Sequence, residues 1–139
     1  MPSESEELEL RVPRWKELQQ ASRAVRANAW APYSRFQVGA AVLTGNGTIF
    51  SGCNVENASY GLTICAERVA MCSALAAGAR DFPVLCVSLQ GMAVPCGACC
   101  QFLVEFNSRM VILLDDLARE NGPPELTTLD QLLPRAFHL

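Results

Sequence analysis

The sequence predicts an α/β domain, a mixed sheet of about five strands with helices packed on its faces. Three observations carry that expectation. The tripeptide Gly45-Asn46-Gly47 has the chemistry of a tight hairpin turn and is flanked by two strand-like runs. Further on, two helical stretches alternate with short apolar runs, the order that builds a sheet covered by helices. At 139 residues the chain is the length of one domain, long enough to bury roughly 70% of its unfolded surface without disulfide staples. A single unit over residues 1–139 is expected, with no repeat or linker.

The opening Ser3-Glu4-Ser5-Glu6-Glu7 is polar, and residues 1–12 are expected to fray. Pro13 suits the first turn of a helix from about Arg14 to Asn28, whose inner face would carry Trp15, Leu18, Ser22 and Val25. Pro32 breaks it, and the hairpin strands follow at 36–44 and 48–54. From Cys65 to about Ala77 the chain is Ala-rich, with Val69, Cys72 and Leu75 spaced for a buried helix that Gly78 is placed to end. Residues 84–89 read as a buried strand. A helix from about Gly97 to Phe106, a strand at 110–114, a short strand around Leu126 and a helix from Leu129 to Leu133 complete the order.

Half of the residues are hydrophobic and 18% are charged, more apolar surface than one small core normally uses, so a subunit interface is expected. A net charge of −3 without a dense Lys/Arg run argues against a protein that tracks a phosphate backbone, since that binding needs clustered cations. No nucleic-acid partner is expected, and the substrate should be small. No stretch approaches the ~18 apolar residues of a membrane span, and the acidic start lacks the order of a signal peptide. The expected location is cytoplasmic. Seven cysteines, an odd set, point to metal binding or burial rather than a disulfide framework. Cys53, Cys72 and Cys86 lie in apolar runs and are expected to pack as buried thiols.

The remaining cysteines carry the chemistry. Cys65 and Glu67 stand in I-C-A-E-R, and Cys96 and Cys99 in P-C-G-A-C, close to the zinc-deaminase pattern of a ligand two before a Glu and a later P-C-x-x-C. Cys96 and Cys99, three apart at a helix start, can grip one ion from one side, with Cys65 arriving from the other helix start. Three protein ligands leave tetrahedral zinc a vacant position for a water whose pKa can fall to near ~7. Candidates to close that position are poor: His138 is the sole histidine, and Cys100 should point about 100° away from Cys99 around the helix. Glu67 suits a general acid and base; the alternative is a plain N-terminal carboxylate favouring the helix dipole. Three thiolates, Zn²⁺ and hydroxide sum to about −2, which calls for a cation. Arg68 is the candidate, against the alternative of an exposed surface arginine.

These motifs, with Y-S-R-F-Q-V-G-A-A at 33–41 and C-N-V-E-N-A-S-Y at 53–60, resemble the cytidine deaminases of the short, all-cysteine kind. The resemblance runs from about Tyr33 to the L-L-P-R-A-F segment. It implies a three-layer α/β/α sandwich and one Zn²⁺ per subunit on Cys65, Cys96 and Cys99, with Glu67 as the catalytic carboxylate. It implies further that Asn54 and Glu56 bind ribose hydroxyls, Phe36 lines the base pocket, and the backbone at Ala66 and Glu67 reads the ring carbonyl. By the same likeness the protein is a homotetramer in which Ala58, Tyr60 and Phe137 reach a neighbour's site. The residues themselves leave simpler readings open, a polar turn for Asn54 and Glu56 and core packing for Phe36. One departure stands out: the family usually reads P-C-G-A-C-R-Q, and here Cys100 replaces the arginine, removing a cation near the metal.

The implied reaction is hydrolytic deamination of cytidine and deoxycytidine, in pyrimidine salvage. Rival readings are a deaminase of another cytosine-bearing nucleoside, such as a nucleoside antibiotic, and a non-catalytic structural-zinc module. The module would need a fourth ligand and a basic face. A C-x-x-C redox protein would leave Cys65 without a task.

Overall fold

A computed structural model describes residues 1–91, 93–119 and 121–139. In chain order it holds α1 (Glu4–Arg11), α2 (Trp15–Arg26), β1 (Gly39–Leu43), β2 (Ile49–Cys53), a 3₁₀ turn (Tyr60–Leu62), α3 (Ala66–Ala76), β3 (Val84–Leu89), α4 (Gly97–Val104), β4 (Val111–Asp116), β5 (Glu125–Thr128) and α5 (Leu129–Leu132). The five strands lie in the order β2-β1-β3-β4-β5. Only the β3–β4 pair is parallel, and the other neighbours are antiparallel. The expected mixed sheet of five strands is present.

Strand alternation sends side chains to two separate cores. Ala40, Val42, Leu85, Val87 and Ile112 face α3, α4 and α5, where they meet Ala70, Met71, Leu103 and Leu129. Ala41, Val84, Cys86 and Leu113 face the opposite way, onto Leu8, Val12, Trp15 and Leu18 of the first two helices and their connection. That makes three layers. The hairpin turns at Gly47, which adopts φ of 90°, and Gly78 at φ of 95° ends α3; side chains with a Cβ rarely take either conformation.

Three expectations are corrected. Within the segment expected to fray, Glu4–Arg11 form a helix: Ser3 accepts from the Glu6 N–H at 3.2 Å while the Glu6 carboxylate accepts from the Ser3 N–H at 2.7 Å, a reciprocal capping box that starts α1. Leu8 and Val12 are then buried against the sheet. The buried face of α3 is Ala66, Glu67, Ala70, Met71 and Ala74, whereas Val69 and Leu75 are half-buried and Cys72 is exposed. The reason lies in β2: a Cβ on Gly52 would stand 2.4 Å from the Ala70 nitrogen, so the helix backbone sits directly on the strand and only its alanine stripe fits underneath. Of the three cysteines expected to be buried, Cys86 is buried, Cys53 is half-buried and Cys72 is exposed. Burial pushes the Cys86 thiol up to about 12.

Candidate active site

Two helix starts converge. Cys65 is the N-cap of α3 and Cys96 the N-cap of α4, both with extended backbone, and Cys99 lies one turn into α4. The three Sγ atoms all lie within 4.8 Å of one another, Cys65 and Cys96 at 4.0 Å. Tetrahedral zinc with Zn–S bonds of ~2.3 Å places its sulfurs ~3.8 Å apart, so this donor set fits a zinc ion with small adjustments. Soft thiolates at the positive ends of two helices suit such a cation.

The cluster offers three donors and no fourth among the described residues. Cys100 points away, its thiol directed at the Pro95 carbonyl at 3.7 Å, and its side chain packs in the core under α3 and α4. The residue that departs from the family's arginine therefore serves as a small core hydrophobe here. His138 is exposed in the tail.

Hydrogen bonding within the cluster sets the charge. Hydrogen bonds from Cys99 and then Arg68 outweigh burial and bring the Cys65 thiol down to about 5. Arg68 Nη2 donates to Cys65 Sγ at 3.5 Å, and the thiolate holds the guanidinium above its ordinary value. Arg68 Nε is buried without a partner among the described residues. Arg68 thus lies half-buried against the cluster. Glu67 is only 4% exposed; burial raises its carboxyl above the usual value, and the charge of Cys65 adds to the effect. A buried carboxyl whose pKa is raised stands in the first turn of α3, directly after the N-cap cysteine's neighbour.

Backbone pairing lays the segment 54–56 beside that cysteine. Val55 exchanges two hydrogen bonds of 2.9 Å with Ile64, and Trp30 pairs with Asn54 and Glu56 on the other side. Asn54 is buried, its Oδ1 accepting from Val38 N–H at 2.9 Å and its Nδ2 donating to the Phe36 carbonyl at 2.8 Å. One amide hydrogen and one lone pair remain for a ligand. Glu56 Oε1 accepts from the Tyr33 and Ser34 N–H groups at 3.0 and 3.1 Å, and Oε2 accepts from the Ser34 hydroxyl. These bonds, the Ser34 hydroxyl first, hold its carboxyl below the usual range. Glu56 and Tyr33 line a surface cavity of about 410 Å³ with Ser34, Asn57, Tyr60 and Thr63.

Phe36 is 45% exposed, so it is not core. Ala58 is exposed, and Tyr60 and Phe137 are bare at 77% and 69%. Sequence reasoning missed the Tyr33 and Ser34 backbone groups that grip Glu56, for which the sequence holds no signal. It also missed Gln101, whose side chain engages the tail.

Residues 14–114 match the family model described as the cytidine and deoxycytidylate deaminase zinc-binding region. A cytidine deaminase of Sporosarcina psychrophila is 46% identical, over 84% of this chain and 85% of that protein. One from Mycobacterium tuberculosis is 39% identical over 90% of each. Among solved structures, cytidine deaminase from Burkholderia pseudomallei superposes with a TM-score of 0.82 at 46% identity, covering 88% of this chain and 98% of that one. The Mycobacterium tuberculosis structure gives 0.75 at 38% identity, over 90% and 98%. With the sheet order, the sulfur cluster and these similarities in agreement, the chain belongs to the cytidine and deoxycytidylate deaminase family.

Proposed function

We propose that the protein hydrolyses cytidine and deoxycytidine to uridine and deoxyuridine with release of ammonia. The observation that carries this reading is the pairing of a buried Glu67, its carboxyl pKa raised by burial, with a cluster of three thiols and no fourth donor among the described residues. A structural zinc would need that fourth donor. Cys65, Cys96 and Cys99 would hold one zinc per chain. Bound there, zinc supplies a Lewis acid that lowers the pKa of a coordinated water to near ~7.

The chain's own groups do the rest. Glu67 takes a proton from the water that adds at C4 and passes it to N3, then takes the proton of the resulting C4 hydroxyl and delivers it to the departing amine. Water enters, ammonia leaves, and the C4 carbonyl of uridine remains. Arg68 offsets thiolate charge through Cys65. The backbone at Ala66 and Glu67 holds the ring carbonyl, Phe36 flanks the base, and Asn54 and Glu56 hold the sugar. Glu56 is already anionic and fixed by three bonds to 33–34, so it would repel a 5′-phosphate and favour a nucleoside.

The bare side chains of Tyr60 and Phe137 support assembly as a homotetramer in which Ala58, Tyr60 and Phe137 complete neighbouring sites. No helix among the described residues is long and apolar enough to cross a membrane. All seven cysteines are free, which is in keeping with a cytosolic role in pyrimidine salvage.

The test is incubation with cytidine, deoxycytidine, cytosine and CMP, following ammonia and the deaminated product, with and without a chelator. Chelator-sensitive turnover of the two nucleosides is expected. Preference for CMP would remove Glu56 from its role, and zinc binding without turnover of any would restore the structural module.

A further inference from the structure

Both ends of the Gln101 carboxamide engage one residue of the tail. Its Nε2 donates to the Phe137 carbonyl at 2.9 Å and its Oε1 accepts from the Phe137 N–H at 3.1 Å, a two-bond clamp across 36 positions of sequence. The anchor lies in α4, two residues after Cys99, on the helix that supplies two of the three sulfurs. The tail before it is held otherwise: Leu132, Leu133 and Ala136 pack against the core. Phe137 differs, because its backbone is gripped while the residue stays 69% exposed. A tie that served only to fasten the chain end would bury the large apolar ring, whose removal from water is worth more than exposed amide bonds.

We propose that Gln101 is a positioning residue, which fixes the tail to the metal-holding helix so that the Phe137 ring projects outward to the substrate site of a second copy of the chain. This rests on the reading of Phe137 as a contact across subunits. Gln101 touches no substrate. It acts by keeping the ring in one place, so that binding loses less conformational freedom.

Gln101→Leu removes both bonds at nearly constant volume, and Gln101→Glu keeps the acceptor while losing the donor. Two readouts are taken on the zinc-loaded enzyme. The first is the rate at which trypsin cuts after the exposed Arg135, seen in intact mass as loss of residues 136–139. The second is the KM for cytidine beside kcat, for each variant, for Phe137→Ala and for the double variant. Gln101→Leu should speed cleavage about tenfold and raise KM about fivefold to tenfold with kcat less affected, the scale of two exposed hydrogen bonds. Gln101→Glu should fall between it and wild type, and the double variant should match Phe137→Ala. Unchanged cleavage in Gln101→Leu overturns the clamp. A raised KM in Phe137→Ala beside a wild-type KM in Gln101→Leu overturns the positioning role alone. A wild-type KM in Phe137→Ala overturns the cross-subunit reading beneath it, whatever the cleavage rate.

Discussion

Replacing Asp115 by alanine should destabilise the protein strongly while sparing its chemistry. Asp115 is 1% exposed on the sheet face covered by α2, away from the thiols. Its Oδ2 accepts from Arg23 Nε at 2.7 Å and Ser88 Oγ at 2.6 Å, and its Oδ1 from Arg23 Nη2 at 2.8 Å and Gln19 Nε2 at 3.0 Å. Removing one partner of a buried pair costs ~3–5 kcal/mol. The Arg23 side chain is 31% exposed and can turn to water, which lowers the expected loss to about 2–3 kcal/mol. For 139 residues the unfolding entropy is about 0.3 kcal/mol/K, so Tm should fall by roughly 7–10 °C.

Burial alone would raise the Asp115 carboxyl, but the bonds from Arg23, Ser88 and Gln19 outweigh it and leave it below its ordinary value. A depressed carboxyl stabilises the fold fully above its unfolded value of about 3.9, and the gain is lost as pH falls through the lower folded value. The gap in Tm between wild type and variant should therefore be constant from pH 7 to 5 and close only in stronger acid. Thermal melts at one protein concentration, with turnover at 25 °C, make the test. A fall in Tm under about 2 °C at pH 7 would refute the account of this network.

Arg68→Gln should weaken zinc binding about 10-fold to 100-fold in competition with a chelating dye, since it removes the donor to Cys65; unchanged affinity would strip Arg68 of its charge-balancing role. Cys96→Ala should abolish stable zinc retention and lower Tm, because metal binding is coupled to folding, and full zinc content by elemental analysis would contradict the ligand set. In Gly52→Ala the new methyl would meet Ala70 backbone at 2.4 and 2.9 Å. The helix carrying Glu67 must then shift, costing ~1–3 kcal/mol, with turnover falling alongside Tm; a variant melting within 1 °C of wild type would show that β2 and α3 are not so tightly seated.

Strong local chemistry made parts of the structure readable in the residues. The glycine turn at 45–47, Cys65 and Cys96 at helix starts, and the cysteine pair three apart are all short-range signals. Arg68 followed from charge balance at those thiols. What escaped depends on partners distant in sequence. The capping box of α1 was hidden by the polar composition around it, although Ser3 and Glu6 have the right spacing. An alanine-rich helix has little apolar contrast, so the buried face of α3 was decided by Gly52 on another strand. Nothing local separates Asp115, which is buried, from Asp116, which caps the loop through Gly91 and Ala118. Helix geometry turned Cys100 away from Cys99, but nothing local showed that it would pack into the core.

The most direct measurement is zinc content and cytidine turnover in Glu67→Gln, taken on the same preparation. The variant should hold as much zinc as wild type, because the three sulfurs are untouched. Its kcat should fall by about 10²–10⁴, the usual contribution of a positioned acid and base. A zinc-replete Glu67→Gln enzyme within tenfold of wild-type turnover would contradict the assignment of the proton to this carboxyl.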